Sequence, residues 1–327
     1  MIPEQNGTDD SPFKQYEGYK AFAIDTIILD EPLEFDLYID NAGRLVKYVK
    51  SGDMLQGAKK EKLLQNCVDH FYITTLDSKA FDDYLTSHLG AVLNNPGLDK
   101  TQKSKILYTS SIHVMHELFD SDVSESKILA AKELMCETVK RIVSNEVTAA
   151  SILQISSHDY KSYSHSVNVA LYSIGIAHEY GIEGRDLERI ASGAILHDVG
   201  KCRIDRCVIN KPAKLSMEEF ETIKEHPEYG YQSLMENGET DPVILDIVRN
   251  HHEKLDGSGY SRGLSADEIS FATQIVTVAD IFDALSTNRA YKEAASFFVA
   301  LKTMKVQMKD QLNMDLVDSL IRMMGKV

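Results

Sequence analysis

Gly184-Arg185-Asp186-Leu187-Glu188-Arg189-Ile190-Ala191-Ser192-Gly193-Ala194-Ile195-Leu196-His197-Asp198-Val199-Gly200-Lys201 holds the pattern on which the fold turns. Ile190, Ala194 and His197 recur at i, i+4 and i+7, so the stretch reads as a helix from about Gly184 with His197 on its buried stripe. Gly200 is expected to end that helix. Asp198 follows His197 directly, and a carboxylate beside a buried imidazole is costly unless a counter-charge or a metal ion accompanies it. A lone His-Asp pair is most often a core histidine hydrogen-bonded to an aspartate, so the rest of the chain has to decide.

Outward from this segment the same chemistry recurs. His165 has Val169 and Tyr172 at i+4 and i+7, again an inward helical face. His226 precedes Pro227, which places it at a helix start with the proline in the first turn. His251 and His252 close a helix opened by Asp241 and Pro242, and Asp280 shares a face with Val276 and Ala284 of a very apolar helix. Five histidines and two aspartates on inward faces of separate helices are enough ligands for two divalent ions, with one carboxylate bridging. A shell of mostly imidazole suits iron, manganese or zinc better than magnesium, which prefers oxygen and water.

The chain ahead of these helices has a different texture. Residues 1 to about 17 read as a mobile lead, rich in Gly, Asp, Ser and Pro. Phe35-Asp36-Leu37-Tyr38-Ile39 and Arg44-Leu45-Val46-Lys47-Tyr48-Val49 flank Asp40-Asn41-Ala42-Gly43 as two strands around a hairpin turn. Phe71-Tyr72-Ile73 is a third strand, reached through a helix near Ala58 to Gln65; a further helix after Asp77 turns Phe81, Tyr84 and Leu85 inward. From Lys100 onward the spacing is helical, through Ile106, Val114, Leu118, Ile128, Leu134 and Ile142. The fold class is therefore mostly α, with a helical bundle domain at residues 146–327. A small α+β domain with a helical connector, residues 1–145, precedes it, the helices of 101–145 joining the two.

Composition narrows the function classes. A length of 327 residues and a 43% hydrophobic fraction fit two globular domains. The net charge of −15 argues against a nucleic-acid polymer or an acidic membrane surface as partner. A small anionic substrate remains compatible, because metal ions reverse the field locally. Cys67, Cys136, Cys202 and Cys207 show no C-x-x-C spacing and read as reduced thiols of a cytoplasmic protein. No signal peptide and no apolar run long enough to span a membrane is expected.

Four blocks in order now carry a resemblance: His197-Asp198-Val199-Gly200-Lys201; Glu225-His226-Pro227-Glu228-Tyr229-Gly230; His251-His252-Glu253-Lys254-Leu255-Asp256-Gly257-Ser258-Gly259-Tyr260; and Val278-Ala279-Asp280-Ile281-Phe282-Asp283-Ala284-Leu285. Together they resemble the HD-GYP domain, over roughly residues 146–300. The resemblance implies a helical HD-type phosphodiesterase of bacterial second-messenger signalling. Such a domain opens cyclic di-GMP or a related cyclic dinucleotide to the linear dinucleotide, and onward to GMP, at a two- or three-metal centre. Carried over by position, His165, His197, Asp198 and Asp280 hold one ion, and Asp198, His226, His251 and His252 hold the second. Lys201 looks like the family lysine that meets the scissile phosphate. The first domain lies outside the resemblance and is expected to be sensory or regulatory, with signalling proteins as partners.

Two departures matter. Some relatives carry a metal-binding glutamate four residues before the first histidine, where this chain has Lys161, so two ions, iron or manganese with zinc as a further fit, are expected rather than three. The name-giving Gly-Tyr-Pro is Gly259-Tyr260-Ser261, which removes the proline that stiffens the loop. Paired ions lower the pKa of a shared water, and Lys201 meets charge on the phosphate, so Asp198 and Lys201 are the catalytic candidates. Tyr260, Arg289 and Lys292 are the further substrate contacts, the last two for the second phosphate.

Asp159 and Asp283 are better placed to orient imidazoles than to touch metal. His113 and His116 lack a nearby carboxylate, and His158 and His178 read as surface or capping residues. A degenerate module that binds a cyclic dinucleotide or a protein is the alternative reading. A hydrolase of another phosphate ester, such as a nucleoside triphosphate, is a third.

Overall fold

The turn signal at Asp40–Gly43 closes a hairpin in the computed structural model, which describes residues 16–119, 122–153, 162–209, 211, 213, 215–287 and 295–325. Ala42 and Gly43, with φ of 53° and 87°, are the left-handed pair whose twist matches two antiparallel strands. Asp40 Oδ1 accepts from Gly43 N at 2.7 Å across the turn. The strands are β1 (Tyr19–Ala23), β2 (Leu37–Asn41), β3 (Arg44–Val49) and β4 (His70–Thr74), in the order β1-β4-β2-β3 and antiparallel throughout.

β1 was not expected. Its five residues alternate weakly, and the strand exists because it pairs, Phe22 opposite Phe71, with β4, which lies far along the chain. The rest of the expected lead, residues 1–15, lies outside the described residues. Three short helices complete this part: α1 (Gly57–Gln65), α2 (Ser78–Ser87) and α3 (Leu89–Leu93). As its spacing predicts, α2 buries Phe81, Tyr84 and Leu85. Phe81 meets Phe22 with ring centroids 4.3 Å apart and Phe35 edge-on at 5.4 Å, so the aromatic residues of sheet and helix make one core.

Among the described residues the rest of the regular structure is helical, and no strand follows β4. In order come α4 (Lys100–Phe119), α5 (Glu125–Val143), α6 (Ala149–Leu153), α7 (Ser162–Glu179), α8 (Gly184–Leu196), α9 (Arg206–Ile209), α10 (Met217–Lys224) and α11 (His226–Glu236). Then follow α12 (Pro242–Asn250), α13 (Phe271–Ser286), α14 (Phe297–Gln307) and α15 (Met314–Met324). By Cα packing the chain divides into two compact units, Met1–Lys103 and Ser104–Val327. The sequence pattern places the boundary later, at 145/146. Compactness places α5 with the second unit, because Ile128, Ala131, Leu134, Met135, Val139 and Ile142 form a buried stripe and the helix packs along α8. Among the described residues no helix is long and apolar enough to cross a membrane.

The bundle is centred on α7, which packs against both α8 and α13, while α12 packs against α8 and α11. The end of α8 differs from the expectation. The helix stops at Leu196 with His197 as its C-cap, and a 3-10 turn over Val199–Arg203 follows. Gly200 therefore does not terminate a helix. It lies in that turn against α11, where a Cβ would stand 1.9 Å from His226 O and 2.4 Å from Gly230 N. Main-chain contact between two elements, not helix termination, requires the glycine.

Candidate metal centre

The five expected histidines stand at the ends or on inward faces of four helices. His165 is on α7, His197 and Asp198 follow α8, His226 opens α11 with Pro227 in its first turn, and Asp280 is on α13. His251 and His252 follow α12, whose start is fixed by Pro242 and by Asp241 accepting from Val243 N at 3.0 Å. All seven side chains are buried except that of His252, which is 23% exposed and so marks the open side of the centre.

The sequence did not reveal how the rings are held. His197 Nδ1 donates to Ala194 O at 2.7 Å, His226 Nδ1 to Ile223 O at 2.7 Å and His251 Nδ1 to Val248 O at 3.0 Å. The same device recurs three times, a ring turned back onto the carbonyl three residues earlier. A carbonyl only accepts, so each Nδ1 carries the proton and each Nε2 is left with its lone pair. The fourth ring, His165, donates from Nδ1 to Asp283 Oδ2 at 2.7 Å. Asp283 is itself held by Asn168 Nδ2 at 3.0 Å and by Thr287 Oγ1 at 3.2 Å, which is the orienting place expected for it.

The freed atoms converge in two groups able to hold an ion: His165, His197 and Asp280, and Asp198, His226, His251 and His252. Asp198 faces both. Its Oδ1 lies 3.2 Å from His226 Nε2, and its Oδ2 lies 3.4 Å from His197 Nε2 and 3.7 Å from His165 Nε2. In the first group His165 Nε2 is 3.0 Å from Asp280 Oδ1; Asp280 Oδ2 in turn is 3.4 Å from His252 Nδ1.

Several features fit a cation at this place. His226 Nε2 and His251 Nε2 stand 3.2 Å apart, two buried lone pairs that repel unless a positive centre lies beside them. His197 Nε2 and Asp198 Oδ1 are buried atoms without a hydrogen-bond partner. Burial pushes the Asp198 carboxyl up, but the Lys201 ammonium beside it outweighs this first and holds the group well below the usual carboxylate range. Asp280 is likewise held low against its burial, first by its 3.0 Å contact with the His165 ring. Burial also pushes His226, His251 and His252 down, which keeps them neutral and able to ligate at neutral pH. Ionised carboxylates and neutral rings in a closed space leave negative charge that the Lys201 ammonium only partly offsets. An imidazole-rich set with carboxylates suits iron, manganese or zinc.

Lys201 Nζ reaches Asp198 Oδ2 at 2.5 Å from the 3-10 turn. Tyr260 stacks on His252, with ring centroids 4.6 Å apart and planes at 30°, so the expected substrate tyrosine stands at the exposed ligand candidate. The loop bearing it is organised by Glu253, a buried residue to which sequence reasoning gave no role. Its Oε1 accepts from Arg262 N at 2.7 Å and Gly263 N at 3.1 Å, and its Oε2 from Leu264 N at 3.0 Å. Gly259 lets the loop fold back, since a Cβ there would lie 2.5 Å from Lys254 N. His113 and His116 join neither ligand group. Lys161, Arg289, Lys292, His158 and Asp159 lie outside the described residues.

A cyclic di-GMP phosphodiesterase of Pseudomonas aeruginosa is 28% identical over 53% of this chain and 42% of its own length. The 3'3'-cGAMP-specific phosphodiesterase 3 of Vibrio cholerae is 40% identical over 43% of this chain and 30% of its own. The chain thus spans less than half the length of these relatives. An HDG"Y"P protein from Bdellovibrio bacteriovorus shares the fold, with a TM-score of 0.66 at 21% identity, over 94% of this chain and 99% of that one. The sequence profile of the HD domain matches residues 137–316, which is more than half of the chain and includes every residue of both ligand groups; the chain belongs to the HD domain family.

Proposed function

We propose that the chain is a metal-dependent phosphodiesterase that opens a cyclic dinucleotide, cyclic di-GMP first, to the linear dinucleotide and onward to GMP. The observation that carries this is the convergence of four Nε2 atoms, each ring fixed through Nδ1, around the two faces of Asp198. The names of the relatives supply the substrate class. Two ions per chain, iron or manganese with zinc as a further fit, are held by His165, His197, Asp198 and Asp280, and by Asp198, His226, His251 and His252. When bound, they supply Lewis acidity toward the phosphoryl oxygens and acidify the attacking water.

The chain's own residues do the rest. Asp198 serves both ligand groups, and the Nδ1 anchors stop the rings from turning away. Lys201, beside Asp198, offers an ammonium to charge gathering on the scissile phosphate. Tyr260, stacked on the partly exposed His252, is a substrate contact, and Arg289 and Lys292 are assigned to the second phosphate from the sequence alone. The first unit is a sensory or regulatory domain, and the protein works in the cytoplasm with signalling proteins as partners.

The test is hydrolysis of cyclic di-GMP, 3'3'-cGAMP and nucleoside triphosphates by the metal-loaded chain, alongside Lys201→Ala. Cyclic dinucleotides are expected to be opened, and the variant to lose about 10²-fold in turnover, as on removal of an oxyanion donor, with its metal retained. Turnover of triphosphates alone would refute the substrate class, and an unchanged Lys201→Ala would refute the role of the lysine.

A further inference from the structure

The open side of the centre continues outward through residues that no role above uses. Beyond His252 and the stacked Tyr260 lies α10, whose Met217, Phe220 and Lys224 fall at i, i+3 and i+7 on one face. Lys224 Nζ stands 4.9 Å from the Phe220 ring centre and 5.9 Å from that of Tyr260, so one ammonium faces aromatic rings from two elements. Phe220 is 45% exposed, an unburied aromatic face on a chain of net charge −15. Lys224 also donates to Glu221 Oε1 at 2.7 Å, an exposed pairing that contributes little and is readily exchanged for a ligand.

We propose that Phe220, Lys224 and Tyr260 form the wall that binds a purine base of the substrate, and that Lys224 selects guanine. This rests on the phosphodiesterase reading above. An aromatic face accepts any base by stacking, because every base has a π-face. An ammonium donates only, and the Hoogsteen edge of guanine offers two acceptors, O6 and N7, where adenine offers N7 beside an amino donor. Phe220 and Tyr260 then hold the base, and Lys224 distinguishes which base it is. The second phosphate needs no share in this contact.

The test is steady-state kcat and KM of the metal-loaded chain with cyclic di-GMP and with cyclic di-AMP, joined to calorimetric titration with GMP and AMP. Lys224→Ala is expected to raise KM for cyclic di-GMP about tenfold and to weaken GMP by a like factor, with cyclic di-AMP and AMP little changed. Phe220→Ala is expected to raise KM for both substrates about tenfold, the order of one lost stack, with kcat held. Unchanged KM and unchanged GMP affinity in both variants, with the wild type active on cyclic dinucleotides, would overturn the wall alone. Equal losses for guanine and adenine substrates in Lys224→Ala would overturn the selection. A wild type that opens no cyclic dinucleotide would instead overturn the phosphodiesterase reading, and the wall with it.

Discussion

Alanine in place of Gly200 would set a Cβ 1.9 Å from His226 O, 2.4 Å from Gly230 N and 2.9 Å from Gly230 Cα. All three are main-chain atoms, so no side chain can swing aside. Ordinary contact begins near 3.4 Å, and the turn after α8 would have to part from α11 by roughly 1.5 Å. That motion acts on the centre directly, because the turn follows Asp198, α11 begins at His226, and the two side chains are 3.2 Å apart. Overpacking of this kind costs about 1–3 kcal/mol and more where backbone blocks backbone. Because backbone blocks backbone here, the upper end of about 3 kcal/mol applies, and at about 2–4 °C per kcal/mol for a unit of this size Tm is expected to fall by roughly 6–12 °C, with metal affinity reduced as well. Calorimetry and metal analysis of Gly200→Ala check both. A variant that melts within about 2 °C of the wild type and keeps its full metal content would show that the contact is not the reason for the glycine.

Asp283→Ala should lower metal affinity about 10- to 100-fold while leaving the ligand set intact, because it frees His165 Nδ1 from its 2.7 Å anchor; competition with a chelator measures this, and equal affinity would sink the positioning role. The metal-free protein should lose stability as pH falls below about 6.5, the ordinary histidine value. The folded values of His226, His251 and His252 are depressed by burial, that of His252 to about 3, so the unfolded chain binds more protons in this window and acid favours it. The lowered Asp198 and Asp280 add a loss only below the ordinary carboxylate range. A metal-free Tm that is level from pH 7 to pH 5 would contradict the burial of neutral rings.

The parts of the fold that were legible are those written locally. The period of Ile190, Ala194 and His197 marks α8, Asp241-Pro242 marks the start of α12, and Ala42-Gly43 marks the hairpin. β1 was hidden because its stability comes from pairing with β4 and not from its own five residues. The candidate ligand residues, which the structure brings together in two groups, could be named from inward helical faces, but their tautomers could not. Three of the four Nδ1 anchors are carbonyls of Ala194, Ile223 and Val248, and a main-chain acceptor leaves no mark on the residue type. Glu253 was missed for the same reason, since its partners are backbone N–H groups. Gly200 was seen as a glycine with a purpose, and only the approach of α11 shows which purpose.

Asp198 reaches both ligand groups, so its removal is where the reasoning is most exposed. Metal content should be measured on anaerobically purified wild type and Asp198→Ala, together with turnover of cyclic di-GMP. Two ions per chain and turnover are expected for the wild type, and loss of most metal and of hydrolysis for the variant, because the carboxylate that serves both ions is gone. A variant that keeps two ions per chain and near-normal turnover would contradict a centre bridged by Asp198.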